Sequence, residues 1–330
     1  NKLISPTLGW ERNYSWEVGF DMHMFNDRLQ LSPVYYNKTT KDMLTSIPGI
    51  AGTVPGLQNV GEIRNRGFEL SASWNDKIGE DWRYGLGANL STIDNKVLSL
   101  VNKDYNIISG PSRVSEGYPI GYFYGYKVEG VYQNEDDIRF SPINSVGSVT
   151  PGDLKFADVD GNGKITDNDR TMIGNPTPDF TYGFGLNAAY KGFDLSAFFQ
   201  GVAGVDRIVM DYPTVSGNVT TAFLDRYSES ANPNGNFPRL GNGDYNSQPS
   251  SFWLKDASYL RLKNIELGYS FKQEWIRKAK LERLRIYVSA QNILTIAGID
   301  DYDPEKYGTD TRGHAYPNAK TFSVGLNITL

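Results

Sequence analysis

The chain has 330 residues, a formal net charge of −5 at pH 7 and an aromatic fraction of 13%. This length allows a large core or two domains. The acidic balance, without a basic patch interleaved with aromatics, argues against nucleic-acid binding, and the absence of cysteine excludes a disulfide framework and a thiol nucleophile. No apolar run approaches the length of a membrane-spanning helix. The chain opens at Asn1 without a signal peptide, so we expect a mature or truncated product.

Apolar and polar residues alternate at a period of two along much of the chain, which predicts strands with one apolar and one polar face. About nine such strands are predicted, each near the roughly 9–11 residues that cross a bilayer as a tilted strand. In chain order they cover residues 16–24, 29–36, 68–74, 82–90, 180–190, 193–199, 265–271, 284–290 and 322–330. Pro33 weakens the second strand, because proline has no N–H to donate to the ladder.

The predicted connections alternate between short and long. The short ones are residues 26–28, 75–81, 191–192 and 272–283, the last with a brief helix over 273–280. The long ones are residues 44–62, 97–179, 203–252 and 293–320. Short turns at one end and long loops at the other are typical of an outer-membrane β-barrel, whereas structureless loops of this length are uncommon in a compact soluble domain. We therefore expect an all-β fold, a transmembrane antiparallel β-barrel in a bacterial outer membrane.

The alternation of short and long connections also divides the chain. Residues 1–96 are predicted to form barrel strands and loops, and residues 97–179 one large extracellular loop that includes the β-like stretch 118–132. Residues 180–330 then form barrel strands to the C-terminus, with long extracellular loops near 203–252 and 293–320. Aromatic residues flank the short turns, as an interfacial girdle would. A soluble β-sandwich is the alternative because it also alternates, but the loop asymmetry and the terminal strand favour the barrel.

Residues 158–169 have the ligand order of an EF-hand-type calcium loop. The oxygen-bearing side chains at the ligand positions are Asp158, Asp160, Asn162, Thr166 and Asp169, and Lys164 would offer its backbone carbonyl. Gly163 supplies the sharp turn, while Asp169 stands where a longer Glu is usual. The alternative is an Asp/Asn/Gly-rich turn that binds nothing. The matching positions favour a structural calcium ion, bound with an affinity typical of extracellular modules.

Enzymatic functions find little support in the sequence. The two histidines, His23 and His314, do not form a paired metal-ligand motif. Gly163-Lys164 is not followed by Ser or Thr, so it is no phosphate loop. Carboxylate pairs such as Asp300-Asp301 occur in any acidic loop, and sequence alone cannot place two of them across a glycosidic bond. We expect no catalytic residues and no enzymatic activity.

Seven blocks of sequence resemble the SusC/RagA family of TonB-dependent outer-membrane transporters. They are NVGEIRNRGFEL (59–70), EGYPIGYFYGY (116–126), PGDLKF (151–156), IGNP (173–176), KGFDL (191–195), SYLRLKNI (258–265) and VSAQN (288–292). They follow the family's order over nearly the whole chain. The resemblance implies a barrel of about 22 strands from Bacteroidota, of which this chain is the C-terminal portion. About nine strands cannot close so wide a barrel, so we expect the chain to exist only as part of a longer polypeptide or assembly.

The resemblance also implies a function and partners. It implies import of oligosaccharides or oligopeptides, a SusD-like surface lipoprotein as a lid, and energy from TonB acting through an N-terminal plug. It further implies a dimer of transporter–lid pairs. The alternative is a calcium-stabilised cell-surface β-protein, an adhesin or scaffold without transport. A plug followed by more alternating strands upstream would favour transport. Loop aromatics such as Tyr122, Tyr124, Tyr126, Phe252 and Trp253 are expected to pack the loops more than to contact substrate.

Overall fold

A computed structural model of the protein describes residues 8–47, 56–210, 212–213, 219–299, 302–306 and 316–330. Its first six strands are β1 (Arg12–Gly19), β2 (Met22–Met24), β3 (Leu29–Ile47), β4 (Gly56–Ile78), β5 (Trp82–Thr92) and β6 (Asp94–Ser99). The next connection contains β7 (Ile107–Ser109), β8 (Ser112–Val114), β9 (Tyr122–Tyr126), β10 (Val128–Val131), α1 (Glu135–Arg139), β11 (Ile143–Asn144), β12 (Leu154–Phe156), β13 (Lys164–Ile165), the 3-10 helix Asp167–Asp169 and β14 (Arg170–Gly174). The remaining elements are β15 (Phe180–Tyr190), β16 (Phe193–Ala203), β17 (Asp206–Ile208), the 3-10 helix Thr221–Asp225, α2 (Gly243–Asn246), β18 (Leu254–Asp256), β19 (Tyr259–Ser270), α3 (Gln273–Ile276), the 3-10 helix Arg277–Ala279, β20 (Arg283–Ala297) and β21 (Thr321–Thr329).

The main sheet is antiparallel and its strand order follows the chain. Neighbouring strands run in the order β1-β3-β4-β5-β15-β16-β19-β20-β21, while β2 pairs with β3 and β6 with β4 beside this path. The nine predicted strands are thus confirmed. Because consecutive strands run in opposite directions, the short turns lie at one rim and the long connections at the other. We call these the short-turn rim and the long-loop rim.

The two faces of this sheet differ in polarity, as the alternation predicts. Large apolar side chains at alternate positions are exposed, with Val18 at 65% and Val324 at 84%. The intervening positions carry charged groups: the Arg285 guanidinium donates to the carboxylates of Asp194 and Glu266 across three strands. A β-sandwich would bury the apolar face under a second sheet. Among the described residues no second sheet covers it, so this face is suited to lipid. The prediction of a transmembrane barrel wall is confirmed.

Pro33 lies inside β3 and marks an interruption in the neighbouring strand. Gly19 at the end of β1 pairs with Val34, and Met22 at the start of β2 pairs with Leu31. Between them, the Phe20 N–H donates to the Pro33 carbonyl at 3.2 Å. Proline has no N–H with which to return this bond, so the ladder breaks there while β3 continues.

Several strands are longer than the sequence predicts. The long connection expected at residues 44–62 is wrong, because β3 has 19 residues and β4 has 23, which leaves residues 48–55 between them, outside the described residues. Likewise, β20 runs past the predicted loop start at residue 293. The predicted helix over 273–280 corresponds to α3 and the 3-10 turn after it. His314, Asp300 and Asp301 lie outside the described residues. Among the described helices, none has the length and apolar character needed to cross a membrane.

Two long connections fold together at the long-loop rim. We call residues 100–178 and 204–256 the loop domain. One buried cluster combines Tyr126, Val131, Leu154, Phe156 and Ile165 from the first segment with Tyr227 and Tyr245 from the second. A second cluster combines Phe123 with Ile208, Tyr212, Phe223 and Trp253. The described parts of these connections, which exclude residues 211 and 214–218, therefore form a folded unit with its own core.

Candidate functional site

The loop at residues 158–169 is folded around the carboxylate of Asp158. Asp158 Oδ1 accepts hydrogen bonds from the N–H groups of Gly161 at 2.8 Å and Asn162 at 3.2 Å, and Oδ2 accepts from Gly163 N–H at 2.7 Å. Gly161 and Gly163 adopt φ values of 73° and 80°, a region that glycine enters without the steric penalty of a Cβ. The backbone therefore closes tightly around the first predicted ligand.

Asp169 closes the same loop from its other end. Its carboxylate accepts from the N–H groups of Val159 at 2.8 Å, Asp160 at 3.3 Å and Thr166 at 2.7 Å. Burial raises the pKa of Asp169, but these hydrogen bonds outweigh burial, so the pKa lies below its usual range. A buried, ionised carboxylate thus faces the inside of the loop.

The structure brings three predicted ligands together. Carboxylate oxygens of Asp158, Asp160 and Asp169 all lie within 4.8 Å of one another. Three carboxylates at this separation repel one another, and a cation among them would relieve that repulsion. The donor set consists of hard oxygens, which suits Ca²⁺ more than metals that prefer nitrogen or sulfur.

The remaining predicted ligands lie on the same loop. The Asn162 side-chain oxygen accepts from the Lys164 N–H at 2.8 Å, and the Thr166 hydroxyl donates to Asp169 at 3.3 Å. The Lys164 side chain is exposed at the start of β13, so only its backbone fits the ligand role. The residues present are therefore compatible with an oxygen-ligated cation.

Ile165 anchors this loop to the core of the loop domain. Its side chain is 0% exposed and belongs to the cluster that contains Phe156 and Tyr245. Strand β13 pairs in parallel with β11, and the Ser145 N–H donates to the Ile165 carbonyl at 2.9 Å. The geometry of the carboxylate loop is therefore coupled to both segments of the loop domain.

A buried ion pair joins the two segments beside this cluster. Asp153 is 0% exposed and accepts from Arg239 Nε at 2.9 Å. The side-chain amides of Asn242 and Asn246 donate to the same carboxylate, each at 2.9 Å. The sequence predicts no role for Asp153 beyond its place in the PGDLKF block, because its partner Arg239 is 86 residues away.

A second ionic network ties residues 302–306 to the barrel wall. Arg261 on β19 and Asp303 are both 4% exposed and lie 2.7 Å apart. The Glu305 carboxylate forms ion pairs with the Arg261 guanidinium at 3.0 Å and with the Lys263 ammonium group at 2.9 Å. Burial raises the pKa of Asp303, but hydrogen bonds from Arg261, Asn318 N–H and Glu305 N–H outweigh it and lower the pKa. We call residues 302–306 the ionic strap.

The loop aromatics mostly serve packing, as expected. Tyr122, Tyr126 and Trp253 are buried. The ring of Tyr126 stacks on that of Phe156 with centroids 4.4 Å apart. Tyr124 is half-buried, with the Arg113 guanidinium 4.1 Å from its ring centroid. A cavity of about 850 Å³ lies between the two segments and is lined by Gln133, Asn134, Glu135, Asp136, Thr150, Pro151, Tyr227, Ser228, Glu229, Pro233 and Arg239. This volume lies within the range that is typical of ligand pockets.

Comparison with known proteins places this geometry in a family. Residues 1–293 match the family model described as TonB dependent receptor-like, beta-barrel. The chain is 34% identical to TonB-dependent receptor P3 of Formosa agariphila, covering 99% of this chain and 35% of that protein. It is 29% identical to TonB-dependent receptor SusC of Bacteroides thetaiotaomicron, covering 99% of this chain and 33% of that protein.

A solved structure shows the same arrangement. The RagAB peptide transporter superposes with a TM-score of 0.77 at 25% identity, covering 98% of this chain and 36% of the matched chain. The present chain thus spans about a third of the length of the relatives it matches. Both the sequence match and the superposition extend over nearly all of it. This chain therefore belongs to the TonB-dependent receptor β-barrel family, is of the SusC/RagA type, and resides in the bacterial outer membrane.

Proposed function

We propose that the chain forms the C-terminal portion of an outer-membrane TonB-dependent importer of oligosaccharides or oligopeptides. The observation that carries this proposal is the two-faced wall, with exposed apolar residues outside and charged groups such as Asp194 and Glu266 inside. Such a wall encloses a polar path across a membrane. The similarity to the RagAB peptide transporter supports a peptide as one of the two substrate classes. In this proposal the chain acts without catalysis.

The proposed importer needs partners that act at both rims. A SusD-like surface lipoprotein would cover the loop domain at the extracellular side, and TonB would act from the periplasm through an N-terminal plug. Two transporter–lid pairs would associate as a dimer. The folded loop domain supports the lid, because a pre-ordered surface lowers the entropic cost of association.

The proposal is tested by uptake in the organism that carries the gene. Deletion of the full-length gene should abolish uptake of either fluorescent oligopeptides or fluorescent oligosaccharides, and the full-length gene should restore it. The exposed-cation variant Lys103→Gln serves as a control that should transport normally. Unchanged uptake and growth on both substrate classes after deletion would favour the adhesin or scaffold alternative.

We further propose that Asp158, Asp160, Asn162, Thr166, Asp169 and the backbone carbonyl of Lys164 hold a structural calcium ion. The support is the convergence of three carboxylates on one loop whose Ile165 is buried in the shared core. The ion would fix the loop domain beneath the lid. Extracellular calcium modules bind with a dissociation constant on the order of 10⁻⁴ to 10⁻³ M.

Calcium binding is tested with the double variant Asp158→Ala/Asp160→Ala of the full-length protein. We expect loss of one calcium-binding event in isothermal titration and faster protease cleavage within residues 158–169, because the ion's ligands are gone. The barrel itself should still assemble. Glu135→Ala/Asp136→Ala, which removes two exposed carboxylates of α1, is the matched control. Equal calcium binding by both variants, or equal loosening of loop and barrel, would contradict the proposal.

A further inference from the structure

One connection at the short-turn rim differs from its neighbours. Residues 271–282, between β19 and β20, contain α3 and a 3-10 turn, whereas the other connections at this rim are residues 25–28, 79–81 and 191–192. A hairpin needs only two residues to reverse direction. The extra length is therefore not required by the sheet itself.

This connection is strongly basic in an acidic chain. It and the first residue of β20 carry five cations, Lys272, Arg277, Lys278, Lys280 and Arg283, against two carboxylates, Glu274 and Glu282. All seven side chains are exposed. Within the described residues none of the five cations forms an ion pair, while the chain as a whole carries a net charge of −5. The positive charge is thus concentrated and available. We call residues 271–283 the basic turn.

Aromatic rings connect the basic turn to the lipid-facing surface. Phe271 contacts Tyr269 at a centroid distance of 5.1 Å, and Tyr269 contacts the exposed Phe193 at 4.6 Å. Next along this rim, Trp82 and Tyr190 stack at 4.6 Å. Rings in such a row mark the boundary between hydrocarbon and headgroups. The basic turn follows directly from this boundary.

α3 places one ring toward its surroundings and one side chain toward the protein. Trp275 is 59% exposed, whereas Ile276 is 5% exposed and anchors the turn. An exposed indole beside cations is suited to the membrane interface, where the ring contacts acyl chains and the cations contact phosphates. Long Lys and Arg side chains extend toward headgroups from such positions.

We infer that the basic turn binds the headgroups of anionic phospholipids in the leaflet at the short-turn rim. Electrostatic attraction between an anionic membrane surface and nearby Lys or Arg adds with each cation. A soluble acidic partner would need the same charge, but it would not need continuity with the lipid-facing rings. The inference rests on the membrane location of the barrel and is independent of what the importer carries.

The test uses the purified full-length protein and two charge-matched variants. Lys272→Gln/Arg277→Gln/Lys278→Gln neutralises the basic turn and leaves Lys280 unchanged, because its backbone adopts φ 57°. Lys103→Gln/Lys127→Gln/Lys255→Gln removes the same charge from exposed positions of the loop domain. Thermal unfolding is followed in nanodiscs of phosphatidylcholine with or without phosphatidylglycerol. We expect phosphatidylglycerol to raise the unfolding midpoint of the parent and of the loop-domain variant equally, and this rise to be smaller in the basic-turn variant, which keeps two of the five cations.

A second measurement needs no charge variant. Phosphatidylglycerol brominated near its headgroup should quench the parent's tryptophan fluorescence more than equally brominated phosphatidylcholine does, and Trp275→Phe should remove the difference. The inference is overturned if the parent shows no preference for phosphatidylglycerol in either measurement. It is also overturned if the basic-turn variant keeps the full rise in midpoint that the parent shows.

Discussion

Ile165 is fully buried although its neighbours in the loop are mostly exposed polar residues. It packs among Leu154, Phe156 and Tyr126, while the carboxylates of Asp158 and Asp169 bond to the backbone of the loop. One apolar side chain thus holds a polar loop against a core. The carboxylate geometry depends on this contact as much as on the carboxylates themselves.

The replacement Ile165→Ala should weaken the loop without removing any oxygen ligand. We expect a cost of about 2–5 kcal/mol to local stability, because a large apolar side chain is lost from a packed core. Proteolysis within residues 158–169 should accelerate, and the affinity for the calcium ion proposed above should fall. Val159→Ala, at a site that is 45% exposed in the same loop, should change both measurements little. Equal effects of the two replacements would show that Ile165 does not anchor the loop.

The convergence of the loop's carboxylates was predictable from the sequence, but their surroundings were not. The spacing of Asp158, Asp160 and Asp169 within one short loop is a local signal, and the structure brings these three together. Asp153 and its partner Arg239 are 86 residues apart. No local period reports such a contact, because the two segments are separated by strands that cross the membrane.

At the scale of single elements, the turn between β15 and β16 shows how a tight hairpin constrains its residues. Lys191 and Gly192 have φ values of 46° and 92°, as a two-residue turn of the primed type requires. A Cβ on Gly192 would lie 2.7 Å from the Ser270 carbonyl oxygen. Both the backbone conformation and the space therefore require glycine.

The replacement Gly192→Ala should impair assembly of the barrel. We expect a cost of about 1–3 kcal/mol from the left-handed backbone alone, with the contact to Ser270 in addition. The measurement is the fraction of full-length protein that shows heat-modifiable migration on gels. Gly87→Ala is the control, since a Cβ there meets no atom of this chain within 4 Å. Normal assembly of the Gly192 variant would contradict this account.

The strands that cross the membrane were predictable because lipid imposes alternation on them. The extension of β3 beyond residue 36 was not, since Asn37, Lys38, Thr39, Thr40 and Lys41 are polar on both faces and show no apolar period. There the strand is held by pairing with both neighbours; Thr39, for example, pairs with Arg64 on β4 and with Tyr14 on β1. Pairing with distant segments leaves no mark in a local hydropathy pattern.

The ionic strap should respond to acid. The folded pKa of Asp303 lies below its unfolded value of about 3.9, so its carboxylate stabilises the strap above roughly pH 4 and this stability is lost as pH falls through the folded pKa. The hydrogen-exchange protection factor of residues 302–306 in the full-length protein, which compares the observed exchange rate with the intrinsic rate at the same pH, should therefore fall below about pH 4. Asp303→Asn should raise exchange already at neutral pH, whereas the exposed-site control Glu274→Gln should not. A strap whose protection factor is the same at neutral and acidic pH would refute the role of Asp303.

At the scale of the whole molecule, the sheet ends in two edge strands, each paired on one side only among the described residues. β1 and β21 end the strand path, and each has one neighbour on that path within the described residues. Unpaired N–H and C=O groups at such edges cannot face lipid, because nothing in hydrocarbon can bond them. We therefore expect further strands to pair with both edges in the membrane.

The isolated chain should therefore not refold as a monomeric barrel. We expect it to form oligomers or aggregates in detergent, whereas the full-length protein forms one heat-modifiable species. Size-exclusion chromatography with light scattering distinguishes the outcomes. A stable, monodisperse and folded 330-residue monomer would show that the edges close without additional strands.

The shared core of the loop domain restricts how this surface can diversify. Phe156 meets Tyr245, and Asp153 meets Arg239, across a gap in sequence that contains two membrane strands. If only one segment is replaced by that of a relative, the aromatic rings of the two segments no longer match. The buried charge of Asp153 or Arg239 can then lose its partner, which is strongly destabilising. Changes in selectivity are thus expected to require compensating substitutions in both segments. Chimeras that exchange both segments should fold, whereas chimeras that exchange one should not.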